Sequence, residues 1–98
     1  MRLELSHPDP QQSIELLQFP IIIGLNPKTK VVSLDDSSIG HYQCMIDRHE
    51  DRFMVWDLGT QLGTKINGVR ISGNTILSHG DILAVGENQF VVHINGNR

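Results

Sequence analysis

Residues 55–68 read Val-Trp-Asp-Leu-Gly-Thr-Gln-Leu-Gly-Thr-Lys-Ile-Asn-Gly, and this stretch decides the fold. A hydrophobic strand ends at Trp56, an irregular loop with two glycines follows, and Thr64 to Ile66 form the next strand. Asn67-Gly68 then closes a hairpin, because both central positions of the favoured two-residue turn need a positive φ. An irregular loop cannot bury its own backbone polar groups cheaply. We therefore expect it at one end of a β-structure, where binding loops usually lie.

Short alternating runs of apolar and polar residues recur along the rest of the chain, and no segment favours the helical period. One such run is Tyr42 to Asp47, and a polar turn over residues 48–51 follows it. Residues 95–98 are expected to be a frayed tail. About ten to eleven such strands, spaced by roughly 6 to 10 residues, predict an all-β, two-sheet β-sandwich. A barrel is the alternative that composition leaves open. Trp56 is expected to be partly buried in this fold, or else an exposed anchor for a partner.

Composition limits the classes of function. The 98 residues suit a single domain, taken as residues 1–98, and the net charge of −3 disfavours nucleic acid as a partner, since phosphate backbones need a basic face. We expect no signal peptide and no membrane span, because no apolar run is long enough. Cys44 is the single cysteine and lies in an alternating apolar run, which favours a buried, inert thiol over a reactive one. The expected compartment is the cytoplasm.

No motif for catalysis or metal binding stands out. The five histidines show no paired ligand spacing, and no Gly-x-Ser-x-Gly or comparable nucleophile motif occurs. Asp57 opens a glycine loop after a buried strand, where an isolated carboxylate more often accepts backbone N–H bonds than acts as a base. Gly59 and Gly63 suggest a phosphate cradle, but no helix follows them, which disfavours a nucleotide site. We expect a protein that is not an enzyme and needs no cofactor and no metal.

Several motifs follow one another in a characteristic order. They are Ile23-Gly24, Val32-x-Leu34, the segment from Ile39 to Ile46, Asp57-Leu58-Gly59-Thr60-x-x-Gly63-Thr64-x-x-Asn67-Gly68, and Leu77-x-x-Gly80-Asp81-x-x-x-x-Gly86. This order resembles the forkhead-associated (FHA) domain over roughly residues 2 to 94, and the second half is the more specific part. The resemblance implies an eleven-stranded β-sandwich of the FHA/SMAD type that reads phosphothreonine in partner proteins, without catalysis.

The resemblance also implies binding positions on loops at one end of the sandwich, and this sequence departs from the family pattern there. The arginine that normally follows the first glycine is Leu25, and the asparagine that holds the peptide backbone is Leu62. The Ser-Arg-x-His signature falls on residues 40–43, so the phosphate-binding hydroxyl becomes Gly40, the basic position His41 and the supporting histidine Gln43. The candidate phosphopeptide- or partner-binding residues are Leu25, Asn26, Ser38, Gly40, His41, Thr60, Gln61, Leu62 and Asn67.

Phosphothreonine carries ~1.5 to 2 negative charges and three acceptor oxygens, so its site needs a fixed cation or several donors. Leu25 offers nothing to an oxyanion, and Gly40 offers only its backbone N–H. We therefore weigh an FHA-type interaction module with lost or weakened phosphothreonine recognition against a functional phosphothreonine reader that uses His41 and loop hydroxyls as substitute donors. A structural or self-associating domain is a further alternative. The expected partner is a protein or peptide, with no nucleic acid and no membrane, and the chain is a monomer or self-associates weakly.

Overall fold

A computed structural model describes residues 2–8, 13–24, 31–33, 43–59 and 63–95. Within these ranges the chain forms eleven strands: β1 (Arg2–Ser6), β2 (Ile14–Leu16), β3 (Ile21–Gly24), β4 (Val31–Ser33), β5 (Cys44–His49), β6 (Arg52–Asp57), β7 (Thr64–Ile66), β8 (Val69–Arg70), β9 (Asn74–Leu77), β10 (Ile82–Val85) and β11 (Asn88–Asn95). Across these ranges we find no helix that is long and apolar enough to span a membrane.

The strands form two sheets. One has six strands in the order β2-β1-β11-β10-β7-β8, and the other has five in the order β4-β3-β5-β6-β9. Every pairing is antiparallel except that of β3 with β4. Buried side chains of both sheets meet in a single core cluster, which contains Leu3, Leu5, Leu16, Ile23, Cys44, Ile46, Phe53, Val55, Leu77, Leu83, Val85, Phe90 and Val92. The predicted two-sheet sandwich is confirmed, and the barrel alternative is not the fold.

Two strand boundaries differ from the prediction. The ladder between β5 and β6 continues to the pair His49 and Arg52, so the turn contains only Glu50 and Asp51. Asn95 belongs to β11, where it pairs with Arg2, and is not part of a frayed tail. In both places backbone hydrogen bonding continues beyond the last inward apolar residue. The apolar pattern therefore ends before the strand does.

The strand directions define the end of the sandwich that matters for function. β3, β4 and β6 finish there, and β5 and β7 begin there, as the pairs Ile23–Cys44 and Cys44–Asp57 require. We call this the loop end, because the connections that follow β3, β4 and β6 leave from it. The predicted Asn67-Gly68 hairpin is confirmed, with φ of 53° and 83°. It lies at the opposite end of the six-stranded sheet, after the three residues of β7.

Candidate functional site

Most of the candidate binding residues fall outside the described residues, namely Leu25, Asn26, Ser38, Gly40, His41, Thr60, Gln61 and Leu62. The described part of the loop end consists of the stems that carry these loops. They are Gly24 at the end of β3, Gln43 before β5, Asp57 to Gly59 after β6, and Gly63 and Thr64 at the start of β7. The geometry of these stems determines what the loops can present.

Asp57 fixes the stem of the loop between β6 and β7. One carboxylate oxygen accepts the Gly59 N–H at 3.0 Å, and the other accepts the Thr64 hydroxyl at 2.8 Å. Asp57 lies on the five-stranded sheet and Thr64 on the six-stranded sheet, so the second bond joins the two sheets at the loop end. A carboxylate that accepts hydrogen bonds from its own loop holds that loop in shape. This agrees with the structural role expected for Asp57, not with a general base.

Gln43 extends this network from the third stem. Its side chain is fully buried, and the amide Nε2 donates to the Gly63 carbonyl at 2.9 Å and lies 3.3 Å from the Thr64 hydroxyl oxygen. Its backbone N–H donates to the Ile23 carbonyl at 2.8 Å, and its own carbonyl accepts the Leu58 N–H at 3.1 Å. Gln43 stands where the family pattern has its supporting histidine. An amide N–H is a donor like an imidazole N–H, so this departure leaves support in place.

Cys44 lies beneath the same network and is chemically quiet. Its side chain is fully buried, and burial, reinforced by the nearby Asp57 carboxylate, raises the thiol pKa from 9.0 to about 12. A hydrogen bond with Thr64 acts in the opposite direction and lowers the pKa. The thiolate is the reactive form of cysteine, so a thiol held protonated is a poor nucleophile. The expectation of a buried, inert thiol is confirmed.

Arg70 is a cation at the loop end that the sequence analysis missed. Gly63 has a φ of 76°, and its open side faces the Arg70 side chain: a Cβ built on Gly63 would lie 2.9 Å from both Cδ and Cζ of Arg70. Arg70 pairs with Lys65 across the Asn67-Gly68 hairpin, which turns the Arg70 side chain back toward the stem. The register of that hairpin is the signal that could have predicted the contact. A guanidinium group beside a loop offers planar, charge-assisted donors to an anion.

Leu58 adds an apolar group to the same end. It follows Asp57, and 41% of its surface is exposed to solvent, although its backbone N–H is held by Gln43. The sequence places two further leucines, Leu25 and Leu62, on the loops that leave from this end. Of these three leucines, only Leu58 lies within the described residues, and one exposed apolar residue has little significance alone.

Asn67, the one candidate residue that the structure describes, is not brought together with the loop end. Its amide Nδ2 donates to the Asp81 carboxylate at 3.0 Å, and its Oδ1 accepts the Ile82 N–H at 2.9 Å. These bonds tie the β7–β8 hairpin to the turn before β10, at the far side of the sheet. Its role in partner binding stays a prediction, while its local bonds account for an asparagine at this turn.

The described residues show no arrangement for metal chemistry. Over the ranges given above, no group of three or more histidine, cysteine, aspartate or glutamate side chains could hold a metal ion. The polar groups of the stems bond to one another, as the Asp57, Thr64 and Gln43 contacts illustrate. These bonds hold the stems to one another.

Comparisons with known proteins agree with this architecture. A family model described as FHA domain matches residues 21–86, about two-thirds of the chain. No curated protein sequence matches the chain. Among solved structures, one from a study of phosphothreonine-dependent FHA domain interactions has a TM-score of 0.86 and 19% identity, covering 99% of this chain and 100% of that chain.

Two further solved structures have a similar fold. The FHA domain of the CT664 protein from Chlamydia trachomatis has a TM-score of 0.85 and 22% identity, and the match covers 98% of this chain and 100% of that one. Mycobacterium tuberculosis EmbR, solved with a low affinity phosphopeptide, has a TM-score of 0.86 and 18% identity, covering 99% of this chain and 25% of that chain. At such identities the similarity concerns the fold.

Proposed function

The chain belongs to the FHA domain family, and on this premise we propose that it is a protein-interaction module whose recognition of phosphothreonine is lost or weakened. Its partner is a protein or peptide that contacts the loop end. FHA domains are interaction modules, and we propose no catalytic role.

The proposal rests on the contrast between the stems and the loops that they carry. A hydrogen-bond network of the buried Gln43 and Thr64 with the partly buried Asp57 joins the stems of the loops. The sequence of the loops, in contrast, places Leu25 and Gly40 where the family pattern has its phosphate-binding arginine and serine. The frame of an FHA site is kept, and two of its anion-binding side chains are absent from the sequence.

The size of the loss follows from the chemistry of an anion site. Removing one partner of a strong interfacial charge contact costs on the order of 2 to 5 kcal/mol. That corresponds to a factor of roughly 30 to 5,000 in affinity. Phosphate then adds little to partner binding. The apolar Leu58, together with Leu25 and Leu62 on the loops, supports contact with an apolar part of the partner.

A second candidate function is favoured by one specific observation, the position of Arg70. Its guanidinium group lies against Gly63, the residue that follows residues 60–62 in the chain. An arginine there brings a positive charge to the loop end, which Leu25 lacks. With this cation and His41, which gains charge on acidification, the domain would remain a phosphothreonine reader by substitute donors.

Peptide titration separates the two candidates. Fluorescence anisotropy is measured with a degenerate phosphothreonine peptide library and its unphosphorylated counterpart, at pH 6 and pH 8. The lost-recognition proposal expects affinities for the two libraries that agree within about threefold at both pH values. Tight binding that requires phosphate refutes it. If Arg70→Gln then abolishes that binding and the control Arg48→Gln, near the end of β5 remote from the loop end, does not, the second candidate is established.

A gain-of-function variant tests the same proposal from the other side. Leu25→Arg, Gly40→Ser and Leu62→Asn together restore the family's polar groups on stems that are already in place. We expect the triple variant to bind the phosphothreonine library at least about 30-fold more tightly than the native chain. A triple variant that folds but gains no phosphate-dependent affinity contradicts the view that only these side chains are missing.

A further inference from the structure

The outer face of the five-stranded sheet carries a continuous apolar patch. Ile22, Met45 and Trp56 are cross-strand neighbours on β3, β5 and β6, and Met54 and Ile76 are neighbours on β6 and β9. Successive side chains of a strand point to opposite faces, and the intervening core residues of β5 and β6 are fully buried on the inner side. We call these five residues the sheet-face patch. It lies on the sheet face, and its row Ile22–Met45–Trp56 is one residue from the strand ends at the loop end.

The sheet-face patch has the composition of a protein interface. Ile76 is 44% exposed, and the other four residues are partly buried. Tryptophan and methionine are enriched at the centres of interfaces, where charged residues are depleted. Lysine and glutamate are absent from the described positions of this outer face, although they are common on solvated sheets.

We propose that the sheet-face patch is the interface of a weak two-fold dimer of this chain. A two-fold interface uses the same surface twice, so that each contact occurs in two copies. An axis parallel to the strands, between β5 and β6, places each Met45 against Trp56 of the second copy, because these residues are direct neighbours in the sheet. Two sheets of equal twist pack face to face at an angle of about 30°, which this arrangement permits. The loop end stays uncovered in both copies.

The charges at the rim favour a second copy as the occupant. Asp47 pairs with Met54, and Arg52 precedes Met54 by two residues on the outer face of β6. The only ion pair in the described ranges joins Arg2 to Glu15, so neither Asp47 nor Arg52 is engaged in one. With the axis above, each Arg52 comes within reach of the second copy's Asp47. One acid and one base per copy thus make the rim self-complementary, in a chain whose net charge is −3.

The size of the face indicates a weak dimer. Five strands span about 19 Å at a spacing of about 4.8 Å, and six-residue strands such as β5 and β6 run for about 20 Å. Covering two such faces buries on the order of 1,000 Å², which is the lower limit for specific interfaces. We therefore expect a dissociation constant in the range of about 0.1 to 1 mM.

Sedimentation velocity from about 10 µM to about 1 mM, in the presence of a reductant, tests the proposal. We expect the average mass to rise from 11.0 kDa toward twice that value. Ile76→Lys should weaken the association at least about tenfold, because it places a charge within the sheet-face patch, on the edge strand β9. Ile82→Lys is the matched control: Ile82 is 40% exposed, on the outer face of the other sheet. It should leave the association unchanged.

A charge swap tests the symmetry and does not depend on the apolar substitution. Arg52→Glu should weaken the dimer about three- to tenfold, and Asp47→Arg in the same chain should restore it. Circular dichroism and thermal unfolding establish that each variant is folded. A native chain that stays monomeric at about 1 mM overturns the proposal, as does equal weakening by Ile76→Lys and Ile82→Lys. A double variant that is no better than Arg52→Glu alone overturns the proposed axis.

Discussion

Replacing Gln43 with methionine tests whether the buried amide holds the loop stems. Methionine has a similar length and an unbranched chain, so the change removes the donor while keeping most of the packing. The Gly63 carbonyl then loses the amide donor at 2.9 Å, and the Thr64 hydroxyl oxygen loses the same donor at 3.3 Å. Weakening the satisfaction of a buried polar group costs about 1 to 3 kcal/mol. We expect the free energy of unfolding to fall by that amount.

Urea denaturation measures this loss. With an m-value of about 1 kcal/mol/M for a small domain, the midpoint should fall by roughly 1 to 3 M with unchanged slope. Gln43→His keeps an N–H donor and should lose less than Gln43→Met, and Gln89→Met, at an exposed position of β11, should stay within about 0.5 kcal/mol of the native chain. A midpoint for Gln43→Met that equals the Gln89→Met midpoint refutes the reasoning, because the amide would then contribute nothing to the stems.

Three further predictions concern single residues. Asn67→Ala removes the hydrogen bonds to Asp81 and to the Ile82 N–H, so the free energy of unfolding in urea should fall by about 1 to 3 kcal/mol. The affinity for the partner should stay unchanged. A variant that keeps native stability but loses affinity would place Asn67 in the binding site. Gly63→Ala should cost about 1 to 3 kcal/mol in thermal unfolding, since φ is 76° and the new Cβ displaces Arg70, and a second Arg70→Ala change should recover only part of it. Burial and the nearby Asp57 raise the pKa of the Cys44 thiol from 9.0 to about 12, so the thiol of the unfolded chain ionises at a lower pH than that of the folded chain. The contribution of Cys44 to the free energy of unfolding should therefore be complete below pH 9 and should decline as the pH rises to about 12. Cys44→Ala should lack that decline, and a native chain without it contradicts the assignment.

Much of the sandwich could be predicted from local patterns. Alternation predicted that Cys44 is buried, and the Asn67-Gly68 pair predicted a hairpin from its turn chemistry. The two strand ends that the apolar pattern predicted wrongly have a common cause, because the backbone hydrogen bonds of a ladder do not depend on side-chain polarity. Asn95 is held by Arg2, a partner from the other end of the chain, which no local pattern reveals.

The candidate site was less predictable, because it depends on which residues the strands bring together. Asn67 follows Gly63 closely in sequence, yet β7 carries it to the opposite end of the sheet. Arg70 lies further along the chain, and the hairpin returns it to Gly63. Judged by residue type alone, Gln43 is a departure from the histidine of the family pattern. Its buried amide, however, makes hydrogen bonds of the kind that support a loop stem.

The pairing of β1 with β11 brings the two ends of the described sandwich together. Arg2 and Asn95 are direct neighbours across the ladder, and neighbouring residues of antiparallel strands lie about 4.5 to 5.5 Å apart. Both positions are at the end of the sheet remote from the loop end. A host protein could therefore receive the sandwich in a surface loop without stretching it. In a circular permutant, a short linker would join the ends of β1 and β11, and the new chain ends would lie at Glu50 and Asp51. This arrangement would still leave the loop end uncovered.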